Sequence, residues 1–303
     1  PAGGARALRA PCRALRLTMT AFDPRVTPAR ADLAAKHLEG KVSAARFVEG
    51  RVMEVVEPQV PLRREPRPDA PLDTEALKGE RVTIYDSNAE GFSWGQLAAD
   101  KYVGWLPSNA LAPAGPAPTH TVAALRTFAF PGPSIKLPPL EALPLGATLT
   151  VARIAERMAI TPSGAFVPLP HLKPLGDYET DYVAVAERFL GVPYLWGGKT
   201  VLGLDCSGLV QVSLTVCGIA CLRDSDMQQA AFGAPLAERS ALKRGDLIFW
   251  KGHVAIVRDE VSMIHANAFH MAVAIEPVAE ALARIRAAGS EVTAIKRITA
   301  PAF

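Results

Sequence analysis

Apolar residues change their spacing several times along the chain, and those changes divide it into units. From Ala29 to Gly40, the positions of Leu33, Lys36, His37 and Gly40 give a helical period and a stop, predicting a short helix. From Ala45 to Leu111, short β-type runs alternate with turn residues: Phe47-Val48, Met53 to Val56, Arg81 to Tyr85, Phe92 to Leu97 and Tyr102 to Leu106. That is the rhythm of a small β-barrel. A Pro-rich stretch, Pro107 to Pro118, precedes a second series of short strands near Val122 to Phe128, Thr148 to Ile154 and Ala165 to Val167, which predicts a second small barrel.

At Asp181 the pattern turns helical. Tyr182, Val183, Ala186, Phe189 and Leu190 recur at helical spacing, with Thr180 or Asp181 as N-cap and Gly191 as stop. A second helix starts at Cys206 and ends near Gly218. Leu247 to Trp250, His253 to Val257, Met263 to His265 and Met271 to Ile275 then read as an antiparallel meander, followed by a helix from Pro277 to Ala288 and a strand from Glu291 to Ile298. Helices followed by a sheet make an α+β domain. The expected organisation is an N-terminal extension with a short helix (1–44), a first barrel (45–113), a second barrel (119–176) and the α+β domain (177–303).

Composition narrows the function. At 303 residues the chain is long enough for two or three units, at about 100 to 200 residues each. With 49% apolar and 21% charged residues it is a folded, globular sequence. A net charge of +3 without a block of Lys or Arg gives no electrostatic case for nucleic acid. The longest uncharged stretch, Cys206 to Leu222, holds Ser, Gln, Thr and Gly and falls short of a membrane span. The first twenty residues are basic, through Arg6, Arg9, Arg13 and Arg16, yet no apolar core of signal-peptide length follows, so a cytoplasmic location is expected. Cysteines at 12, 206, 217 and 221 are then free thiols, and their spacing without a nearby His argues against zinc. No metal, cofactor or protein partner is implied.

Chemistry concentrates in the last unit. Cys206 sits at the first turn of a helix, where unpaired amides and the helix dipole lower a thiol from its free value of about 8.5. Ser207 and Gly208 leave room for a substrate carbonyl, and the backbone amide there is suited to an oxyanion. Taken alone, Cys206 reads more readily as a buried helical thiol. His253 changes that balance, because Lys251-Gly252-His253-Val254-Ala255-Ile256-Val257 is a strand that opens polar and continues apolar. A thiol nucleophile needs an imidazole, and the imidazole needs a polar group on its far nitrogen; His265 supplies one from the next strand. His37, His120, His171 and His270 have no such company. Tyr194 and Trp196, in Val192-Pro193-Tyr194-Leu195-Trp196-Gly197-Gly198, read either as a pocket wall or as core filling.

Together, Pro193-Tyr194-x-Trp196-Gly197-Gly198, Asp205-Cys206-Ser207-Gly208-Leu209-Val210-Gln211, Arg244-Gly245-Asp246-Leu247 and Gly252-His253-Val254-Ala255 resemble the NlpC-type cell-wall peptidases, which are papain-like cysteine peptidases. The resemblance covers about residues 178 to 300 and implies a papain-like fold with Cys206, His253 and His265 as triad. Leu62-Arg63-Arg64-Glu65-Pro66 and Tyr102-Val103-Gly104-Trp105-Leu106 resemble bacterial SH3-like domains, two of which precede the peptidase in the γ-D-glutamyl-L-diamino acid endopeptidase branch. In that branch the first barrel closes one end of the groove. By that resemblance Glu65, Tyr102 and Asp224 would meet the ammonium of an N-terminal L-alanine, Ser207 and Ser225 would lie near the D-glutamate carboxylate, and Trp196 would line the groove. Asp205 would either touch substrate or cap the Cys206 helix.

The resemblance implies hydrolysis of the γ-D-glutamyl to diamino-acid bond of peptidoglycan-derived peptides through an acyl-thioester on Cys206. Two alternatives remain at this level: a non-catalytic wall-peptide-binding module, and an amidase or acyltransferase using the same triad.

Overall fold

The computed structural model describes residues 22–237 and 240–298. The expectations that rest on the first twenty-one residues, including Cys12, lie outside them. The predicted helix from Ala29 to Gly40 does not form. Ala34–Ala35 instead pairs in parallel with Phe47–Val48, and only Lys36–Leu38 makes a single 3₁₀ turn. Leu33, Ala34 and Ala35 are all fully buried, and three successive buried residues cannot share one face of a helix.

The first β unit is a seven-stranded antiparallel sheet of β1 (Arg51–Val55), β2 (Gln59–Arg63), β3 (Leu72–Leu77), β4 (Arg81–Ser87), β5 (Phe92–Leu97), β6 (Val103–Pro107) and β7 (Leu111–Pro113), in the order β3-β2-β6-β5-β4-β1-β7. Alternation sends Val60, Leu62, Val82 and Ile84 inward. β2 and β3 are absent from the sequence reading, and β3 shows why. Thr74, Glu75, Ala76 and Leu77 are buried in succession because β3 is covered on both faces, by its own core and by the C-terminal unit, so the alternation vanishes.

A second all-β unit follows, made of β8 (His120–Val122), β9 (Arg126–Ala129), β10 (Glu141–Pro144), β11 (Thr148–Leu149), β12 (Arg153–Ala155), β13 (Met158–Ile160), β14 (Phe166–Pro168) and β15 (Leu172–Pro174). They pair as β11-β8-β15, β9-β10 and β12-β13-β14 around a core that includes Val122, Leu143, Ala159 and Val167.

In the last unit α1 (Tyr182–Glu187) starts where Asp181 caps the amides of Val183 and Ala184 at 2.9 and 3.2 Å. α2 (Cys206–Val216) and α3 (Ser225–Ala231) precede a meander of β16 (Leu247–Trp250), β17 (His253–Val257), β18 (Ser262–Asn267) and β19 (Ala272–Pro277), then α4 (Val278–Ala287) and β20 (Val292–Lys296). The sheet order is β19-β18-β17-β16-β20, and α2 packs on β17 and β18. Every residue of α2 from Cys206 to Leu214 is buried, because the side turned away from the sheet meets the first β unit, where Gln211 Nε2 donates to Asp100 Oδ2 at 2.9 Å. Among the described residues no helix is long and apolar enough to cross a membrane.

The seam between the first and last units is polar and tightly paired. Leu222 and Met227 join the core of the first β unit. Around them Lys199 Nζ bonds Glu80 at 3.0 Å, its amide donates to Glu75 at 2.9 Å, and Thr200 Oγ1 donates to Gln59 at 3.0 Å. Burial raises the Glu80 carboxyl, against the pull of Lys199. Removing one partner of such a buried pair strands the other, so Lys199→Met is expected to cost about 3–5 kcal/mol. The check is the urea unfolding curve of the purified variant; an unchanged midpoint would show that this seam does not hold the units together.

Candidate active site

The residues around Cys206 are fixed from beneath by one carboxylate and one guanidinium. Asp205 caps α2: its Oδ1 accepts the Gly208 amide at 2.7 Å, and its Oδ2 accepts the Gly197 amide of the preceding loop at 2.8 Å. Arg223 closes on both oxygens at 2.8 and 2.7 Å and also donates to Ser207 Oγ, Gly198 O and, across the seam, Thr74 Oγ1 at 2.9 Å. Two glycines permit this approach. A Cβ on Gly208 would stand 2.3 Å from Gly198 O, and one on Gly197, whose φ is +78°, would stand 2.6 Å from Leu72 O of the first β unit.

The sulfur lies over the start of β17. Cys206 Sγ is 4.0 Å from Gly252 O and meets the Val254 amide, the two residues that flank His253. His253 Nε2 is 2.8 Å from His265 Nδ1, and His265 Nε2 is 2.6 Å from Glu276 Oε1, on which Arg284 also donates. Glu276 is missing from the sequence reading. A carboxylate only accepts, so His265 offers it Nε2–H. His265 Nδ1 must then accept from His253 Nε2–H, which leaves a lone pair on His253 Nδ1. That is the tautomer a proton-accepting imidazole needs.

The expected low thiol pKa is reversed. Burial pushes the Cys206 thiol up to about 12, and the charge of Asp205 adds to it, outweighing the Val254 amide, Arg223 and the Ser207 amide. The carboxylate that caps the helix thus offsets the dipole that was expected to stabilise a thiolate. Burial likewise brings His253 down to about 3, helped by His265 and Arg284, and His265 down to about 4 despite Glu276. At neutral pH both the thiol and the imidazole pair are uncharged at rest.

A cavity of about 230 Å³ opens beside Cys206 and is lined by both units: Tyr194, Trp196, Asp205, Ser207, Asp224 and Ser225 on one side, Arg64, Asp73 and Tyr102 on the other, with Arg25 between. The structure thus brings together every expected binding residue except Glu65. That side chain is 54% exposed and pairs with Arg67 at 3.1 Å, outside the cavity, because β2 ends at Arg63 and the chain turns outward. The carboxylate that the first β unit does contribute is Asp73, on β3 and bonded to Arg64 at 3.0 Å. Tyr102 Oη donates to Asp224 Oδ2 at 3.1 Å, and Arg25 reaches the same oxygen at 2.8 Å. Burial raises the Asp224 carboxyl against Arg223, Arg25 and Tyr102. Trp196 is exposed on the rim, while Ser207 is buried and committed to Arg223 and Asp205.

Comparison with known proteins finds two matching stretches. Residues 191–289 match the NlpC/P60 family, and residues 62–111 match the bacterial dipeptidyl-peptidase Sh3 domain. The γ-D-glutamyl-L-lysine dipeptidyl-peptidase of Bacillus subtilis is 30% identical over 226 residues, covering 65% of this chain and 73% of that protein. Dipeptidyl-peptidase 6 of Lysinibacillus sphaericus is 34% identical over 92 residues, and the match spans 33% of its length. The crystal structure of an NlpC/P60 family protein from Bacillus cereus superimposes with a TM-score of 0.68 at 22% identity, over 81% of this chain and 99% of that one.

A neutral thiol and a preformed ion pair differ in how alkylation depends on pH. With the Cys206 thiol raised to about 12, the thiolate fraction grows tenfold per pH unit well below that value. The rate of iodoacetamide labelling at Cys206, followed by mass spectrometry, should therefore climb steadily from pH 6 to pH 10. A plateau across that range would show a thiolate–imidazolium pair instead.

Proposed function

The chain belongs to the NlpC/P60 family of cell-wall peptidases, and on that premise we propose that it cleaves the γ-D-glutamyl to diamino-acid bond of wall peptides that carry a free N-terminal L-alanine. The observation that carries this reading is the aligned His253–His265–Glu276 chain, beginning on the strand whose start lies under the Cys206 sulfur, beside a cavity that holds Asp224, Tyr102 and Asp73. An ammonium needs acceptors, and two carboxylates with a phenol are suited to it. Because the first β unit contributes Tyr102 and Asp73 to the cavity, we read the peptide as ending there rather than passing through. The bond reached by Cys206 is then a fixed number of residues from the N-terminus. The Bacillus subtilis relative is named for a γ-D-glutamyl-L-lysine bond, which agrees with this register. We read the second all-β unit as a second SH3-like barrel; it joins the first through Lys78 and Glu141 at 2.8 Å and supplies none of the residues lining the cavity.

The chemistry follows from the tautomer. As Sγ attacks the γ-carbonyl carbon, its proton passes to His253 Nδ1, and the imidazolium is stabilised through His265 by Glu276. The Ser207 amide, at the N-terminus of α2, receives the oxyanion in this scheme. His253 returns its proton to the diamino acid's nitrogen as the C–N bond breaks, leaving a thioester. Water, deprotonated by the same imidazole, then releases L-alanyl-D-glutamate and regenerates the thiol. A non-catalytic binding role would have no use for the aligned three-member relay.

Cys206→Ala is expected to abolish release of the diamino acid from L-alanyl-γ-D-glutamyl-diaminopimelate, measured by mass spectrometry, and retained turnover would sink the mechanism. Asp224→Asn should raise KM for the free-amine peptide by about 10- to 100-fold, the weight of one charged hydrogen bond of about 1.5–3 kcal/mol, with kcat little changed. The N-acetylated peptide should resist both proteins; if it is cleaved as well as the free amine, the ammonium reading falls.

A further inference from the structure

The far end of the relay has the makings of a second site. We propose that a zinc ion binds through His265, Glu276 and His270 and turns off the base by reversing the tautomers of the relay. The ligand atoms of the three residues all lie within 4.8 Å of one another. His270 takes no part in the peptidase chemistry, yet its ring is oriented: Asn267 Oδ1 accepts the His270 amide at 2.8 Å and the Nδ1–H at 3.0 Å, so the Nε2 lone pair is free. Two imidazole nitrogens and a carboxylate oxygen form a ligand set that zinc takes with water in the fourth position, and a ligating histidine held by an amide oxygen is the usual orienting arrangement. His270 is exposed, which gives the ion an entry path from solvent.

The cation already there is Arg284, which donates to Glu276 Oε1. Its guanidinium carbon lies 4.1 Å from the centre of the Phe269 ring, so the side chain keeps a favourable seat when the metal takes the carboxylate. Zinc on His265 Nε2 leaves the imidazole proton only one place, Nδ1. That N–H then faces His253 Nε2 at 2.8 Å, which has to accept. The proton of His253 moves to its own Nδ1, the nitrogen that must receive the thiol proton. Both protons shift by one nitrogen and none leaves, but the base is filled.

Binding and inhibition are separable. Zinc titration by calorimetry into the Cys206→Ala protein should show one site, weakened at least about tenfold when His270→Ala is added. This arm requires no peptidase activity. The inhibition arm rests on the function proposed above: His270→Ala should keep basal tripeptide hydrolysis and need at least about tenfold more free zinc for half-inhibition than the wild-type enzyme. Equal zinc affinity with and without His270 in the Cys206→Ala background would show that these three residues do not hold the metal, and undiminished inhibition of His270→Ala would place the inhibiting metal elsewhere; either result overturns the proposal. Zinc binding that depends on His270 in a protein that hydrolyses no tripeptide would refute the substrate while supporting the site.

Discussion

The buried pair of Arg223 and Asp205 is the interaction on which the rest of the site depends. Arg223 is 1% exposed, and a guanidinium that deep is tolerable only when its donors are met. It spends them on both oxygens of Asp205, on Ser207 Oγ, on Gly198 O and on Thr74 Oγ1. Those partners come from the helix cap, the first turn of α2, the loop before it and the first β unit. One cation thereby fixes where the nucleophile's helix begins, how the Trp196 loop lies over it and where the neighbouring unit sits. The desolvation of Arg223 is offset only when all four pieces are assembled, which ties a formed active site to a docked β unit.

The same carboxylate has a cost at the sulfur. Asp205 stabilises α2 as its cap while holding a negative charge beside Cys206, and with burial it keeps the thiol protonated. A relay running away from the sulfur answers this. On the proposed mechanism, His265 and Glu276 orient His253 so that the base is ready at the nitrogen that needs it, and they stabilise the imidazolium only once it forms. Stabilisation is then greatest in the transition state and small at rest, which is where it raises kcat.

How much of this the sequence shows follows from distance along the chain. α2 and the strands carrying His253 and His265 are legible because a polar residue opens an apolar run, and the structure sets both histidines in neighbouring strands of one meander. α3 is short and polar, Ser-Asp-Met-Gln-Gln-Ala-Ala, so no apolar period announces it. Glu276 leaves a faint trace. His265 faces Ala274 across the β18–β19 pair, and strand alternation returns Glu276 to the face of Ala274, diagonal to His265. Asp73 and Arg25 leave none. Arg25 meets Asp224 across 199 residues, and no local pattern encodes such a contact. Glu65 enters only through the resemblance of Leu62-Arg63-Arg64-Glu65-Pro66 to SH3-like domains, and which carboxylate reaches the cavity is decided by where β2 stops.

Arg25 also bears on how the cavity holds charge. Its guanidinium bonds Asp23, Asp224 and Asp226, so one positive charge is shared among three carboxylates. With its donors taken up by these residues, Arg25 has little left to offer a ligand, and its work is to hold Asp224 in place beside Tyr102. The cluster keeps an excess of negative charge in a partly buried setting, where Coulomb interactions are stronger than in water. Burial raises Asp224, and an entering ammonium offsets this through its attraction for the ionised carboxylate. On the proposed reading, selection for a free amine is thus a matter of charge balance, and that balance exists only while the N-terminal segment, the first β unit and the peptidase unit are held together. On that reading the docked seam is part of the specificity, although its ion pairs lie outside the cavity.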